Sequence, residues 1–216
     1  KFITTIIKKG ISLMTRLSAL AASASGLALL LSTPALAQSS DIQAEQAGPA
    51  LYVAVDPAML SPVPAVGDVV SFTITGLTTL NGLKMANAIT GFARSATGVD
   101  VNPLVQDLTA AADVVTALGN YESELFDLSG TVSDLFSASG AGFEQAPIAT
   151  TGIPADTNYR IRIPTALRSS IDLVPGCSFT LNNVPVFRFN AIPQMPAYVA
   201  SDITVSGCPA PTVASA

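Results

Sequence analysis

Apolar and polar positions divide the chain into one long apolar run and a series of short, strand-like segments. Leu17 to Leu31 is apolar apart from small polar residues, with Arg16 just ahead of it and Lys8 and Lys9 further upstream. Ala35-Leu36-Ala37 follows the run. A basic start, an apolar middle of about 15 residues and an Ala-x-Ala end read as a secretory signal peptide. The run falls short of the roughly 20 apolar residues that a membrane span needs. Residues 1–37 are therefore set outside the fold, with Met14 as the natural start and cleavage after Ala37. No membrane span remains once that segment is removed.

Beyond it the pattern is β-like. Leu51 to Val55 is apolar and β-prone, and Asp68 to Thr75 is rich in Val, Ile, Phe and Thr. Asn81-Gly82 then marks a tight turn. Asp41 to Glu45, Glu124 to Val132, Gly142 to Ile148, Ser178 to Leu181, Val184 to Phe189 and Asp202 to Ser206 read as further strands. Tyr159 to Ile163 alternates strictly, with Arg160 and Arg162 on one face and apolar residues on the other. One stretch reads differently. Leu104, Leu108, Ala111, Ala112, Val115 and Leu118 recur at helical spacing, with Asp107 or Thr109 to cap the start and Gly119-Asn120 to end it. Residues 104–120 are thus expected to be a helical linker. Residues 137–142 read as a Gly/Ser-rich loop and 209–216 as a disordered tail.

Two stretches look alike. Val55 to Thr73 and Ile163 to Thr180 each run from a strand through a proline-broken excursion and a Gly turn into a second strand. They are offset by about 108 residues, which reads as an internal duplication. The domain reading is a first unit over 38–103, the linker over 104–120 and a second unit over 121–208.

Composition removes whole classes of chemistry. Among 216 residues there is no His, which excludes a Ser-His-Asp triad, a Cys-His pair and an imidazole zinc site. Two cysteines cannot supply a four-thiolate metal site. A hydrophobic fraction of 49% is ample for a buried core. With four of ten basic residues lost in the leader and all fifteen acids kept, the net charge of the remaining chain is −9. Such a surface repels polyanions at long range and leaves room only for a local basic patch. Cys177 and Cys208 are the sole thiols, and export to an oxidising compartment makes them a disulfide.

Gly67-Asp68-Val69-Val70-Ser71-Phe72-Thr73-Ile74-Thr75-Gly76, followed by a turn and a second strand, resembles the OB-fold modules of bacterial secreted multidomain proteins. Those modules stand beside extracellular endonuclease/phosphatase-type or lamin-tail domains. Tyr121-Glu122 through Gly130 echoes the same opening in the second unit. The resemblance implies an all-β fold of two OB-like small barrels joined by a short helix. The first unit departs from it by lacking an opening strand equivalent to Leu125 to Val132. A single β-sandwich is the alternative. The nuclease domain itself is absent, so no catalysis carries over.

The candidate ligand-binding residues are Arg160, Arg162 and Arg188, with Tyr159, Phe187 or Tyr198 as a stacking platform. OB-fold faces bind oligonucleotides or oligosaccharides, and arginine contacts phosphate or stacks on a base. The competing expectation is a solvated face, with the arginines paired to Asp156, Asp172 or Asp202 and both phenylalanines in the core. Glu122 and Glu124, or Asp41 and Glu45, are the carboxylates nearest to an acid/base pair, and Asp56 and Asp68 the nearest to a calcium site. All read better as structural charge. The chain is therefore expected to be a non-catalytic secreted, periplasmic or cell-surface binding or structural module. It has no assigned metal or cofactor, and its ligand is an unidentified polymer or protein. An accessory nucleic-acid-binding module is the alternative, held back by the acidic charge.

Overall fold

The computed structural model describes residues 2–6, 42–46 and 48–210, with side chains described at 50 and from 52 onward. The apolar run of the expected signal peptide, and all but the first two residues of the expected tail, lie outside the described residues.

The fold is all-β in two mixed sheets. The first sheet comprises β1 (Phe2–Ile6), β2 (Ile42–Gln46), β3 (Gly48–Val53), β4 (Val69–Leu80) and β5 (Leu83–Ala96). Its order is β1-β2-β3-β5-β4, and β1 is paired with both β2 and β4. Phe2–Ile6, within residues 1–37, is mostly β-branched and lies antiparallel to Val69–Thr73. β4 and β5 are joined at Asn81 and Gly82, both at positive φ, as a two-residue hairpin turn requires.

The second sheet contains β6 (Gln106–Asp107), β7 (Leu125–Val132), β8 (Ser137–Ala138), β9 (Phe143–Ala149), β10 (Arg160–Pro164), β11 (Ser178–Pro185), β12 (Phe187–Phe189), β13 (Ile192–Pro196) and β14 (Ile203–Ser206). Its order is β12-β13-β10-β9-β7-β11-β14, with β6 added to β7 and β8 to β9. This differs from the expected second small barrel. The parallel β10/β13 pair places the β12–β13 hairpin at one end of a nine-stranded sheet, far in the strand order from β14.

The helical linker is also corrected. Among the described residues, the only α-helix is α1 (Thr165–Ser170). Residues 104–120 instead hold β6 and a 3-10 turn at Leu118–Asn120. Burial shows why the periodicity misled. Leu108, Val114 and Leu118 are buried, whereas Ala112, on the expected apolar face, is exposed. Local polar groups compete for the backbone as well. Asp107 Oδ1 accepts from Thr109 N at 2.9 Å, and Thr109 Oγ1 accepts from Ser129 N at 2.9 Å. The segment is laid across β7 as a strap.

The main core lies under the second sheet and includes Phe126, Leu128, Tyr159, Ile161, Ile163 and Phe179. Each large apolar side chain buried there contributes about 1.5–3 kcal/mol. A smaller core in the first sheet gathers Tyr52, Val53, Val70, Phe72, Leu83 and Met85, with Phe187 packed against it from the second. Cys177 and Cys208 are bonded, S–S 2.01 Å. The two stretches expected to be duplicates share a local course, with Gly67 and Gly176 both at positive φ ahead of a strand. The sheets around them differ in strand number and order.

Candidate functional site: a cleft between the two sheets

β10 alternates as its sequence dictates. Ile161 and Ile163 are fully buried, while Arg160 and Arg162 face the other way and are partly exposed. Arg162 Nη2 donates to the Ser139 carbonyl at 3.2 Å. Its guanidinium lies 3.8 Å from the centroid of the Phe143 ring, a cation–π stack. Tyr198 meets the same ring edge-on, 6.2 Å away at 83°.

Arg188 reaches the same space from β12. Its Nη1 donates to Glu122 Oε2 at 2.7 Å, and that carboxylate is only 3% exposed. Arg162 and Arg188 line one cleft of 630 Å³. Its apolar wall is Tyr52, Leu80, Leu83, Met85, Phe187 and Phe189, and its polar wall includes Gln145 and Gln194, whose side-chain amides bond at 2.9 Å. The tip of the β4–β5 hairpin, the β8–β9 turn and the β12–β13 hairpin thus converge on one opening.

The expected residues separate. Arg162 and Arg188 come together, but Arg160 does not line the cleft, and its Nε donates to the Thr157 carbonyl at 2.7 Å. Tyr159 is corrected outright. It is fully buried in the main core, so it offers no stacking surface, and desolvation raises its phenol well above the ordinary value. Tyr198 is 7% exposed, and burial pushes its phenol up to about 12 against the opposing pull of Arg162. Phe187 is partly buried against the smaller core and Phe189 is 43% exposed; both line the cleft. Phe143 was missed by the sequence reading, which gave it only a strand. Its signal was a lone aromatic directly after Gly140-Ala141-Gly142, where a turn leaves a ring at a sheet margin.

The expected arginine partners are corrected too. Among the described residues the ion pairs are Arg94–Asp68, Arg168–Glu144 and Arg188–Glu122. Asp156 and Asp202 instead accept from backbone amides. Arg162 has no carboxylate partner among the described residues. With Arg188 paired to Glu122, Arg162 is the guanidinium of the cleft lining without an ion pair among the described residues, and the Asp202 carboxylate lies behind Tyr198. The carboxylates weighed for chemistry have structural work. Glu124 Oε1 accepts from Ala50 N at 2.9 Å and ties the two sheets together. Asp68 Oδ2 accepts from Ala65 N at 3.0 Å and from Arg94, and Asp56 Oδ1 from Ala58 N at 2.9 Å. The Asp41/Glu45 pair lies outside the described side chains.

Asn81-Gly82 does more than turn the chain. Asn190 N donates to the Asn81 carbonyl at 2.6 Å, docking one hairpin tip on the other. A Cβ on Gly82, which sits at φ +82°, would fall 2.9 Å from the Asn190 carbonyl oxygen. Gly140 has a similar φ of +85° with open space around it. Gly140→Ala is therefore expected to cost about 1 kcal/mol from backbone conformation alone. Gly82→Ala should cost about 1–2 kcal/mol more and loosen the cleft. Paired urea titrations of the two variants check this difference.

No family model matches this chain, and no curated protein matches it. Among solved structures it is similar to a p204 HINb domain, at 11% identity over 77% of this chain and 85% of that one, TM-score 0.34. A murine DNA-binding protein bound with double-stranded DNA is 7% identical over 95% of this chain and 97% of that one, TM-score 0.34. The tetrameric p202 HIN2 is 11% identical over 95% of this chain and 92% of that one, also at 0.34. A TM-score of 0.34 is too low for these likenesses to bear on fold or ligand.

Proposed function

We propose that the chain is a non-catalytic, exported binding module whose inter-sheet cleft takes a segment of single-stranded nucleic acid. The observation that carries this reading is the convergence of Arg162 and Arg188 with Phe143, Phe187 and Phe189 on one cleft. A backbone phosphate meets the Arg162 guanidinium. Bases have the exposed Phe189 ring and the Phe187 ring to stack on, each stack being worth about 1–3 kcal/mol and tolerant of sequence. Arg188, held by Glu122, sets the position of the wall more than it adds charge. The OB-like resemblance of the segment from Gly67 to Gly76 points the same way.

The acidic remainder of the chain limits the footprint. The single Arg162 charge neutralises one phosphate, so the affinity should fall with salt at a slope of only about −0.7 in log–log terms. Fluorescence anisotropy with a labelled oligothymidine, titrated across ionic strengths, reads this slope. Binding in the micromolar range is expected, and Arg162→Ser should abolish it without unfolding the protein. Absence of binding at low salt, or unchanged affinity in Arg162→Ser, contradicts the proposal.

A further inference from the structure

Tyr198 stands out at the inner wall of this cleft. It is 7% exposed, and its buried hydroxyl has Arg162 close enough to act on its oxygen but no acceptor for its proton. Leaving a buried hydroxyl unmatched costs stability, and Phe would fill the same volume without that cost. The nearby cation does not remove the problem. Arg162 is a donor only, so whatever it offers to the phenol oxygen, the phenol proton still has no acceptor. Both groups therefore call for the same complement, a ligand atom that accepts and does not donate. An oxyanion is that complement, whereas an amine or a protonated amide nitrogen is not.

We infer that Arg162 and Tyr198 form a seat for a single phosphodiester oxyanion, with the Tyr198 hydroxyl as the group that reads it. This rests on the binding reading above and specifies which group of the strand the cleft grips. The Phe143 ring fixes the seat, because it carries the Arg162 guanidinium on its face and meets Tyr198 at its edge. A phosphate oxygen held by the guanidinium would accept a hydrogen bond from the Tyr198 hydroxyl. No bond is made or broken.

The test is anisotropy of the full chain with a labelled oligothymidine, comparing the native protein with Tyr198→Phe. Hydrogen bonds to charged groups predict a loss of about tenfold or more in affinity, with a thermal midpoint unchanged or higher. A purely structural tyrosine would lower the midpoint and leave affinity alone. Site-specific 3-fluorotyrosine at position 198, a stronger donor of nearly the same size, should tighten binding. An oligothymidine methylphosphonate, which lacks the backbone charge, should bind at least tenfold more weakly than the phosphodiester. Affinity in Tyr198→Phe within twofold of native overturns the seat and leaves the nucleic-acid reading standing, whereas equal binding of the methylphosphonate overturns the seat together with the phosphate contact at Arg162. If the native chain binds no oligothymidine at low salt, both fall together.

Discussion

Removing the Cys177–Cys208 bridge by Cys177→Ala with Cys208→Ala should lower stability by about 3–4 kcal/mol. The two residues are 31 apart in sequence, and opening a loop of that size returns this much chain entropy to the unfolded state. The bridge closes the loop around β11 and β14, which pair from Ser178↔Ser206 to Leu181↔Ile203. β14 ends the sheet and, among the described residues, pairs with β11 alone, so the bridge secures its outer end. With a urea dependence of about 1–3 kcal/mol per molar for a small protein, the midpoint should drop by roughly 2 M. Urea titration of the oxidised and double-alanine proteins measures it. An unchanged midpoint would mean that β14 holds without the bridge.

Phe126→Ala is the second large effect, expected at about 3–5 kcal/mol. Phe126 is fully buried on β7, opposite Val184 of β11 and beside Gln106 of β6. β7 lies between β9 and β11 in the second sheet, so a cavity here weakens the contact of the strap over 104–120 as well as the core itself. Phe189→Ala is the matched contrast. At 43% exposure it should change stability by no more than about 0.5 kcal/mol while weakening oligothymidine binding. Denaturation and anisotropy on both variants separate the ring that builds the fold from the ring that lines the cleft.

Strands governed by local alternation were legible in the sequence. Tyr159 to Ile163 was read as a two-faced strand, and β10 buries Ile161 and Ile163 while turning Arg160 and Arg162 outward. The Asn81-Gly82 turn followed from a local rule, and the disulfide from there being two thiols in a chain expected to be exported. The strap over 104–120 was not legible, because Leu108, Val114 and Leu118 reach the core by tertiary wrapping and not through one helical face. Strand order was hidden for the same reason, since the parallel β10/β13 pair joins segments that no local pattern connects.

The site was half legible. Arg162 and Arg188 were chosen for their strand positions, and the fold brings both to one cleft. Tyr159 enters the core because one step along a strand reverses the face, whereas Arg160 shares the face of Arg162 but bonds to the Thr157 carbonyl away from the cleft. The roles of Phe143 and Glu122, the latter named only as a carboxylate of a possible acid/base pair, could not be found from spacing. Phe143 acts through a contact with Arg162, 19 residues away in sequence, and Glu122 through one with Arg188, 66 residues away.

The most direct measurement of the central claim is an NMR titration of the isotope-labelled chain with oligothymidine, following arginine side-chain and aromatic resonances. Binding in the cleft predicts saturable shifts at Arg162, Arg188, Phe143, Phe187 and Phe189, with Arg160 and the core ring Phe126 unmoved. Shifts that gather away from these residues, or no shifts at saturating oligonucleotide, would contradict it.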